Sequence, residues 1–426
     1  MLMPKGGRFM KYIPRWMESK LSEALGSNPV VVLTGPRQVG KSTLLEQAGL
    51  FKDWRYLTLD DADALEQAQE DPKGLLAEDK PTIIDEVQRC PELLLTVKYL
   101  VDKTKRQRKF VLSGSGNVSL RKAPRESLAG RARYLHLTGF GFREFQGLSA
   151  QGIFEKVWNK KEIKAADVGS HEDIIPDFSN EKSGIMQAAW RGCLPGVVLA
   201  GNQKIALERM SSYVDTYIQR DIQDLLKIRH PQHFRRLMEL LAKATGWESV
   251  QEELAGSCGE TRTNVSRYMS LLKDTNVLYE LKGYSTKGER AYKQAKYFWF
   301  DSGVASFLSG VHSPQEIKKD NVKGKYFENF VFQQILSWAS LQMIAPELHY
   351  WKPKNGVAEV DFVIRSSDRV VGVEVKSSKE LAFGDTRSMR EFLKTHPEAG
   401  PGIIVYAGDK VYPIATNIYA VPVTVF

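Results

Sequence analysis

The stretch "VVVLTGPRQVGKSTLL" at residues 30–45 constrains this chain more than any other. Val30 to Leu33 form a short, unbroken apolar run of the kind required by a parallel strand buried on both faces. The run breaks at Gly35, and the spacing Gly35-x-x-x-x-Gly40-Lys41-Ser42 follows. Glycines at the two turning points of the loop formed by Gly35, Pro36, Arg37, Gln38, Val39 and Gly40 leave room for backbone N–H groups to face the β- and γ-phosphates of a nucleotide. Lys41 adds charge, and the Ser42 hydroxyl is a ligand for Mg²⁺. Thr43, Leu44 and Leu45 continue into a helix whose N-terminal dipole favours the same anion. ATP and Mg²⁺ are therefore the cofactors expected here.

Downstream, "KPTIIDEVQRCPELL" sets Ile83 and Ile84 in a buried strand that ends on Asp85 and Glu86, Asp85 lying 44 residues after Lys41. Two adjacent acids at a strand tip suit different tasks. Asp85 can hold the water shell of Mg²⁺, while Glu86 can orient or deprotonate the water that attacks the γ-phosphate. In "RKFVLSGSGN" a further apolar strand, Phe110 to Leu112, emerges into Ser113, Ser115 and Asn117. Any of these could hydrogen-bond the γ-phosphate or that water; the sequence does not choose among them, and Ser115 stands as the working assignment. Apolar runs near 30–34, 55–59, 82–85, 109–113 and 132–137 alternate with helical stretches, the pattern of a parallel α/β sheet.

A chain of 426 residues exceeds what one core usually serves, so two to four domains are expected. Hydrophobic residues at 42% and charged ones at 26% fit a globular protein rather than a disordered or membrane chain. No apolar run approaches the roughly 18 residues of a membrane span, and "MLMPKGGRFMKYIPRW" lacks the apolar centre of a signal peptide, which predicts a cytoplasmic protein. Cys90, Cys193 and Cys258 stand far apart without CxxC spacing, against both a disulfide framework and a zinc site. The formal net charge of +9 suggests a polyanionic partner.

The segments "GPRQVGKSTLL", "YLTLDDADALEQAQEDP", "PTIIDEVQRCPELL", "LSGSGN" and "ESLAGR" resemble the predicted AAA+ ATPases of bacteria and archaea that carry a C-terminal domain of unknown function. The similarity continues through "YVDTYIQRDIQDLL", "YFWFDSGVASFL" and "GKYFENFVFQQIL", so it spans nearly the whole chain. It implies ATP hydrolysis, and it puts the polar residue after "FVL" at the position AAA+ enzymes call sensor 1. By likeness to clamp-loader-type subunits, Arg131, just ahead of a strand in "ESLAGRARYLHL", becomes a candidate arginine finger that reaches a neighbour's site, and with it comes a homo-oligomer.

Residues 150–183 read as an irregular connection. After Pro231 an apolar helix is followed by "SVQEELAGSCG" and "TRTNVSRYMSLLKDTNVLYEL", the outline of a helix-turn-helix with Gly259 in the turn. Its second helix is expected to present Arg262, Asn264, Arg267 and Tyr268 away from Val265, Met269 and Leu272. Val277 to Leu281, a turn around Lys287-Gly288, and Tyr297 to Phe300 would add a winged hairpin. From Thr261 to Phe298 eight basic residues (Arg262, Arg267, Lys273, Lys282, Lys287, Arg290, Lys293, Lys296) face three acids (Asp274, Glu280, Glu289), a phosphate-facing strip suited to DNA. Protein docking and a purely structural role are the competing readings.

In "LHYWKPKNGVAEVDFVIRSSDRVVGVEVKSS" two strands of period two flank a polar turn. Val360, Phe362 and Ile364 share one face of the first strand, leaving Asp361 on the other; Val371, Val373 and Val375 share a face of the second, leaving Glu374 and Lys376 together. A hairpin thus gathers Asp361, Glu374 and Lys376. Two carboxylates can bind Mg²⁺, and the lysine can orient or activate a water. Glu328, on the apolar-striped helix before it, can add a third carboxylate. The order helix, hairpin, helix, strand resembles the PD-(D/E)xK nuclease core, which implies either nucleic-acid cleavage or a binding module that retains the fold.

These signals divide the chain into a P-loop AAA+ parallel-sheet domain with an N-terminal helix (1–148), an irregular insertion and helical linker (149–230), a winged helix-turn-helix (231–310) and a small α/β restriction-endonuclease-like domain (320–426).

Overall fold

Val30, Val31, Val32 and Leu33 are each at most 1% exposed, as a strand bonded on both edges and packed on both faces must be. The computed structural model describes residues 12–114, 128–150, 152–159, 184–216, 228, 230–286, 294–353 and 356–425. Its first sheet contains β1 (Val30–Thr34), β2 (Arg55–Thr58), β3 (Thr82–Asp85), β4 (Phe110–Ser113) and β5 (Ala132–His136), in the order β2-β3-β4-β1-β5. Every neighbouring pair is parallel, so the mixed α/β architecture with a parallel P-loop sheet is the one expected. Ile84, Phe110 and Leu112 pack with Leu93, Val97 and Val101 of the helix Leu93–Lys103 to form its core. Parallel strands end along a common edge, so the end of β1, the acids after β3 and the serine closing β4 lie along one border of the sheet, with β4 between the other two strands.

The chain divides into two compact units. One comprises 1–34, 40–137 and 144–149, and the other 35–39, 138–143 and 150–426. In the second, β6 (Leu278–Gly283), β7 (Lys296–Trp299), β8 (Glu347–Trp351), β9 (Val360–Arg365), β10 (Val370–Lys376), β11 (Gly402–Tyr406), β12 (Tyr412–Ala415) and β13 (Ile418–Pro422) form an eight-stranded mixed sheet. Its order is β12-β13-β11-β10-β9-β8-β6-β7. The expected hairpin is β9–β10, antiparallel, with Val373 opposite Phe362. On β10, Gly372 is where the helix Arg387–Thr395 approaches: a β-carbon there would stand 3.0 Å from Met389 and Phe392 side-chain atoms.

Ahead of this sheet run the helices Pro231–Lys243, Gln251–Cys258 and Arg262–Asp274. Gly259, at φ +75°, closes the second, and the Thr261 hydroxyl opens the third by accepting from the Asn264 N–H at 3.2 Å. Among the described residues no helix is long and apolar enough to cross a membrane.

Two expectations are corrected. Tyr268 is not on the outward face: it is 4% exposed and meets Phe234 edge-on at 5.3 Å. Three residues after Val265 and four before Leu272, it falls in the apolar stripe of its helix. The hairpin β6–β7 is not a free-standing wing either. β6 pairs in parallel with β8 through Lys282 opposite His349, so the hairpin extends the C-terminal sheet across the boundary expected near 310. Phe298 of β7 stacks on Phe332 of the helix Asp320–Ala339 at 4.7 Å and lies 5.3 Å from the ring of Phe362 on β9. The turn at Lys287-Gly288 falls outside the described residues.

Phe298→Ala should therefore destabilise the whole C-terminal sheet by about 3–5 kcal/mol, the usual cost of emptying a buried aromatic site. Chemical denaturation followed by far-UV dichroism measures it; a change under about 1 kcal/mol would mean that the hairpin folds apart from the sheet.

Candidate functional site

At the tip of β1 the loop turns through three residues of positive φ: Gly35 (150°), Gln38 (61°) and Gly40 (95°). Gly40 leads into the helix Lys41–Gln47, and its carbonyl accepts from the Leu44 N–H at 2.9 Å. Lys41 at the helix start is buried. The left-handed backbone at Gly35 and Gly40 explains both glycines, because a side chain there would be strained.

The acid pair is held from two sides. Asp85 is 3% exposed; its Oδ2 accepts from the Tyr56 hydroxyl at 2.8 Å and its Oδ1 from the Glu86 N–H at 3.0 Å. Burial, and then Asp85, pushes the Tyr56 hydroxyl above its ordinary pKa, so it remains a donor. Glu86 has φ +54°, a conformation that costs a non-glycine residue about 1–2 kcal/mol, and Gln88 donates to its Oε2. Neither Tyr56 nor Gln88 is visible as a site residue in the sequence. Tyr56 arrives only through the parallel pairing of β2 with β3, in which Thr58 lies opposite Asp85.

Of the residues after β4, Ser113 is fully buried and its hydroxyl has no hydrogen-bond partner among the described residues. Ser115 and Asn117 lie outside them. Arg131 stands at the opposite border of the sheet, where its carbonyl accepts from the Val30 N–H at 3.2 Å. Its guanidinium grips Asp102 with two bonds, of 2.7 and 2.9 Å. It is thus separated from its own chain's phosphate loop by the length of β1.

In the second unit the β9–β10 hairpin brings its acids together. Continued by one residue, the register that pairs Phe362 with Val373 sets Asp361 opposite Glu374. The ladder opens there, and Asp361 Oδ2 takes the place of a backbone acceptor for the Val375 N–H at 2.7 Å. Glu374 is 5% exposed; Oε1 accepts from Lys376 Nζ at 2.8 Å, and Oε2 has no partner among the described residues. Glu328 faces the same cluster with Oε1 lacking a hydrogen bond. Gly246, at φ +76°, walls it so closely that a β-carbon would stand 3.1 Å from Glu328 Oε2.

Burial raises the pKa of all three acids. Repulsion from Asp361 adds to the effect at Glu328 and at Glu374, which reaches about 8, while at Asp361 the lysines oppose it. At Lys376 burial pulls the pKa down, but Glu374 and then Asp361 more than offset this, and the ammonium is held charged.

The residue that sequence reasoning misplaced is Lys296. Counted there in the DNA-facing strip, it is 3% exposed and lies inside this cluster, bonded to Glu359 and 3.7 Å from Glu328 Oε1. Lys352 extends the network, 2.5 Å from Glu248 and 3.6 Å from Glu359. Among the described residues no three of His, Cys, Asp and Glu stand at metal-holding spacing; an ammonium is set among the acids expected to bind Mg²⁺.

The strip is altered further. Arg262 pairs with Glu252 at 2.7 Å and Lys273 with Glu280 at 3.0 Å. Asn264 donates to Glu260 at 2.7 Å, Arg267 is exposed, and Lys287 is outside the described residues. Two of the expected phosphate contacts are thus turned toward the protein's own acids.

The parallel sheet, the helix opened by Gly40 and Lys41 after β1, and the acids at the tip of β3 define the first unit as a P-loop ATPase-like domain. Residues 27–146 match the family described as an AAA domain, while 183–315 and 323–426 each match a domain of unknown function. An uncharacterized protein of Mycobacterium tuberculosis is 29% identical over 409 residues, covering 95% of this chain and 82% of the relative. One of Methanocaldococcus jannaschii is 24% identical over 368 residues, 83% of this chain and 75% of its own. Among solved structures, the Walker-type ATPase of Pyrococcus abyssi aligns at a TM-score of 0.43 and 16% identity, over 72% of this chain and 99% of that one.

Tyr56→Phe removes one donor from Asp85 without changing the packing of the ring. Mg²⁺-dependent nucleotide affinity should fall roughly tenfold, the worth of one hydrogen bond to a charged group. Titration of a fluorescent ATP analogue with and without Mg²⁺ measures it, and equal affinities would remove Tyr56 from the site.

Proposed function

We propose that this chain is an ATP-hydrolysing P-loop protein that couples its nucleotide state to the processing of nucleic acid, most directly DNA, by the C-terminal sheet. The observation that carries the second half is the cluster at the open end of β9 and β10. Glu328, Asp361, Glu374 and Lys376 converge there, with buried carboxylate oxygens on Glu328 and Glu374 that accept no hydrogen bond from any described group.

In the first unit, Lys41 and the backbone amides at the start of its helix would neutralise the β- and γ-phosphates, and Ser42 and Asp85 would hold Mg²⁺. Glu86, supported by Gln88, would orient the attacking water and take its proton. Arg131 would act on a neighbouring copy, since it lies at the far border of its own sheet. In the second unit the donors, all carboxylate oxygen, are of the type a hard divalent cation takes, and Glu328, Asp361 and Glu374 would hold it by drawing closer than the spacing they have around Lys296. A cation bound there supplies Lewis-acid stabilisation of a phosphodiester. Lys376, pinned by Glu374, would position the water.

The pairing of Arg262 and Lys273 with Glu252 and Glu280 favours a second reading, a nucleotide-controlled switch whose C-terminal fold binds nucleic acid or a protein and cuts nothing.

The deciding experiment incubates the protein with single-stranded, double-stranded and branched DNA and with RNA, in Mg²⁺ and in each nucleotide state. Cleavage that Asp361→Asn and Glu374→Gln abolish, with ATP turnover retained, supports the first reading; no cleavage of any substrate supports the switch. Lys41→Ala should weaken ATP binding, whereas Glu86→Gln should bind ATP and stall its hydrolysis, which steady-state turnover and equilibrium binding separate. For DNA, Arg267→Ala should flatten the log–log salt dependence of affinity by about one unit, and an unchanged slope would mean that this helix faces another partner.

A further inference from the structure

Lys296 stands outside the Asp361…Glu374-x-Lys376 pattern and enters the cluster from a different strand pair. Its ammonium bonds Glu359, lies 3.7 Å from Glu328 Oε1 and sits 5.3 Å from the centre of the Tyr350 ring. Lys376 is engaged by Glu374, and Lys352 by Glu248 with a longer reach to Glu359, so Lys296 carries most of the balance for Glu328, Glu359 and Asp361. Three ammoniums, Lys296, Lys352 and Lys376, for the five carboxylates Glu248, Glu328, Glu359, Asp361 and Glu374 under-neutralise the cluster, and the buried Glu374 Oε2 has no hydrogen-bond partner among the described residues. A Mg²⁺ or Ca²⁺ ion bound to Glu328 at the roughly 2.0–2.6 Å it requires would stand beside the ammonium, which lies 3.7 Å from the same carboxylate oxygen.

We propose that Lys296 is a resident counter-ion: in the metal-free protein it fills the cationic position among Glu328, Glu359 and Asp361, and a divalent ion must displace it to bind. This rests on the reading of the cluster as a metal site. Glu359, whose side chain is partly exposed, and the Tyr350 ring give the ammonium a place to withdraw to without leaving the protein. The acids would then be kept buried and ordered before metal arrives, and metal affinity would be set by competition with a covalently tethered charge.

The test is Mn²⁺ binding to the full chain without nucleotide, followed by electron paramagnetic resonance, with Asp361→Asn marking which binding belongs to the cluster. Lys296→Met should bind Mn²⁺ at least about tenfold tighter than wild type, a modest share of the repulsion expected between two cations near 4 Å at an effective dielectric of about 20. The gain should vanish when Asp361→Asn is added. In the wild type, Lys296 should resist acetic anhydride without metal and become acetylated when Mn²⁺ saturates the cluster, read by peptide mass spectrometry; this arm needs no variant to fold. Equal or weaker binding by Lys296→Met, or acetylation indifferent to Mn²⁺, overturns the proposal while leaving the metal site standing. If the wild type shows no Mn²⁺ binding that Asp361→Asn removes, the metal reading and this proposal fall together.

Discussion

A buried ammonium must be matched where it lies, because stranding one charge in a protein interior costs several kcal/mol. That requirement, applied to Lys296, accounts for much of how the second unit is built. β7 has to deliver Lys296 to Glu328 on the helix Asp320–Ala339, and the same strand delivers Phe298 to Phe332 on the same helix. The two spacings agree: two residues advance a strand by about 6.6 Å and four residues advance a helix by about 6 Å. An ion pair and a ring stack therefore fix one register, and β6–β7 belongs to the sheet instead of standing out as a wing.

The two candidate sites solve opposite electrostatic problems at strand tips. The first unit assembles positive potential for an anion from Lys41, backbone amides and the start of a helix, with Asp85 and Glu86 held apart at the tip of β3, one strand removed from β1. The second gathers carboxylates more densely than their lysines can neutralise. In each, the sheet supplies the precision: strand ends fix the carboxylates, and residues from adjacent strands or turns, Tyr56 and Gln88 in one case and Lys296 in the other, hold them.

How much of this can be read from the sequence follows from the range of each interaction. The phosphate loop is legible because glycine spacing is local, and β1, β3 and β4 are legible because each is a buried run led by apolar residues, while the edge strands β2 and β5 are only partly buried and show through their alternation with helices. Asp361, Glu374 and Lys376 are legible because alternation along two strands joined by a short turn decides which side chains meet. Tyr56 is not, since only the β2–β3 pairing brings it to Asp85. Lys296 is not, because a lysine among basic residues reads as solvated surface, and the glutamates that bury it lie 32 and 63 positions further along the chain. Tyr268 is misread for a different reason: its hydroxyl suggests an outward face, while its ring, at helical spacing from Val265 and Leu272, is core.

Gly246 adds a mechanical constraint. Its wall against Glu328 is main chain, at a φ that side chains avoid, and its N–H donates to the Tyr297 carbonyl at 2.9 Å, next to Lys296 itself. On that side the site has no side chain to yield. A side chain at Gly246 would crowd Glu328, so glycine there is what lets the backbone that follows the helix Pro231–Lys243 pass beside the carboxylate on its way to Gln251–Cys258. The carboxylate cluster and the three-helix segment thus meet at the Gly246 peptide, flanked by the Thr245–Asn329 hydrogen bond and the Glu248–Lys352 ion pair, so that a change in one is felt by the other.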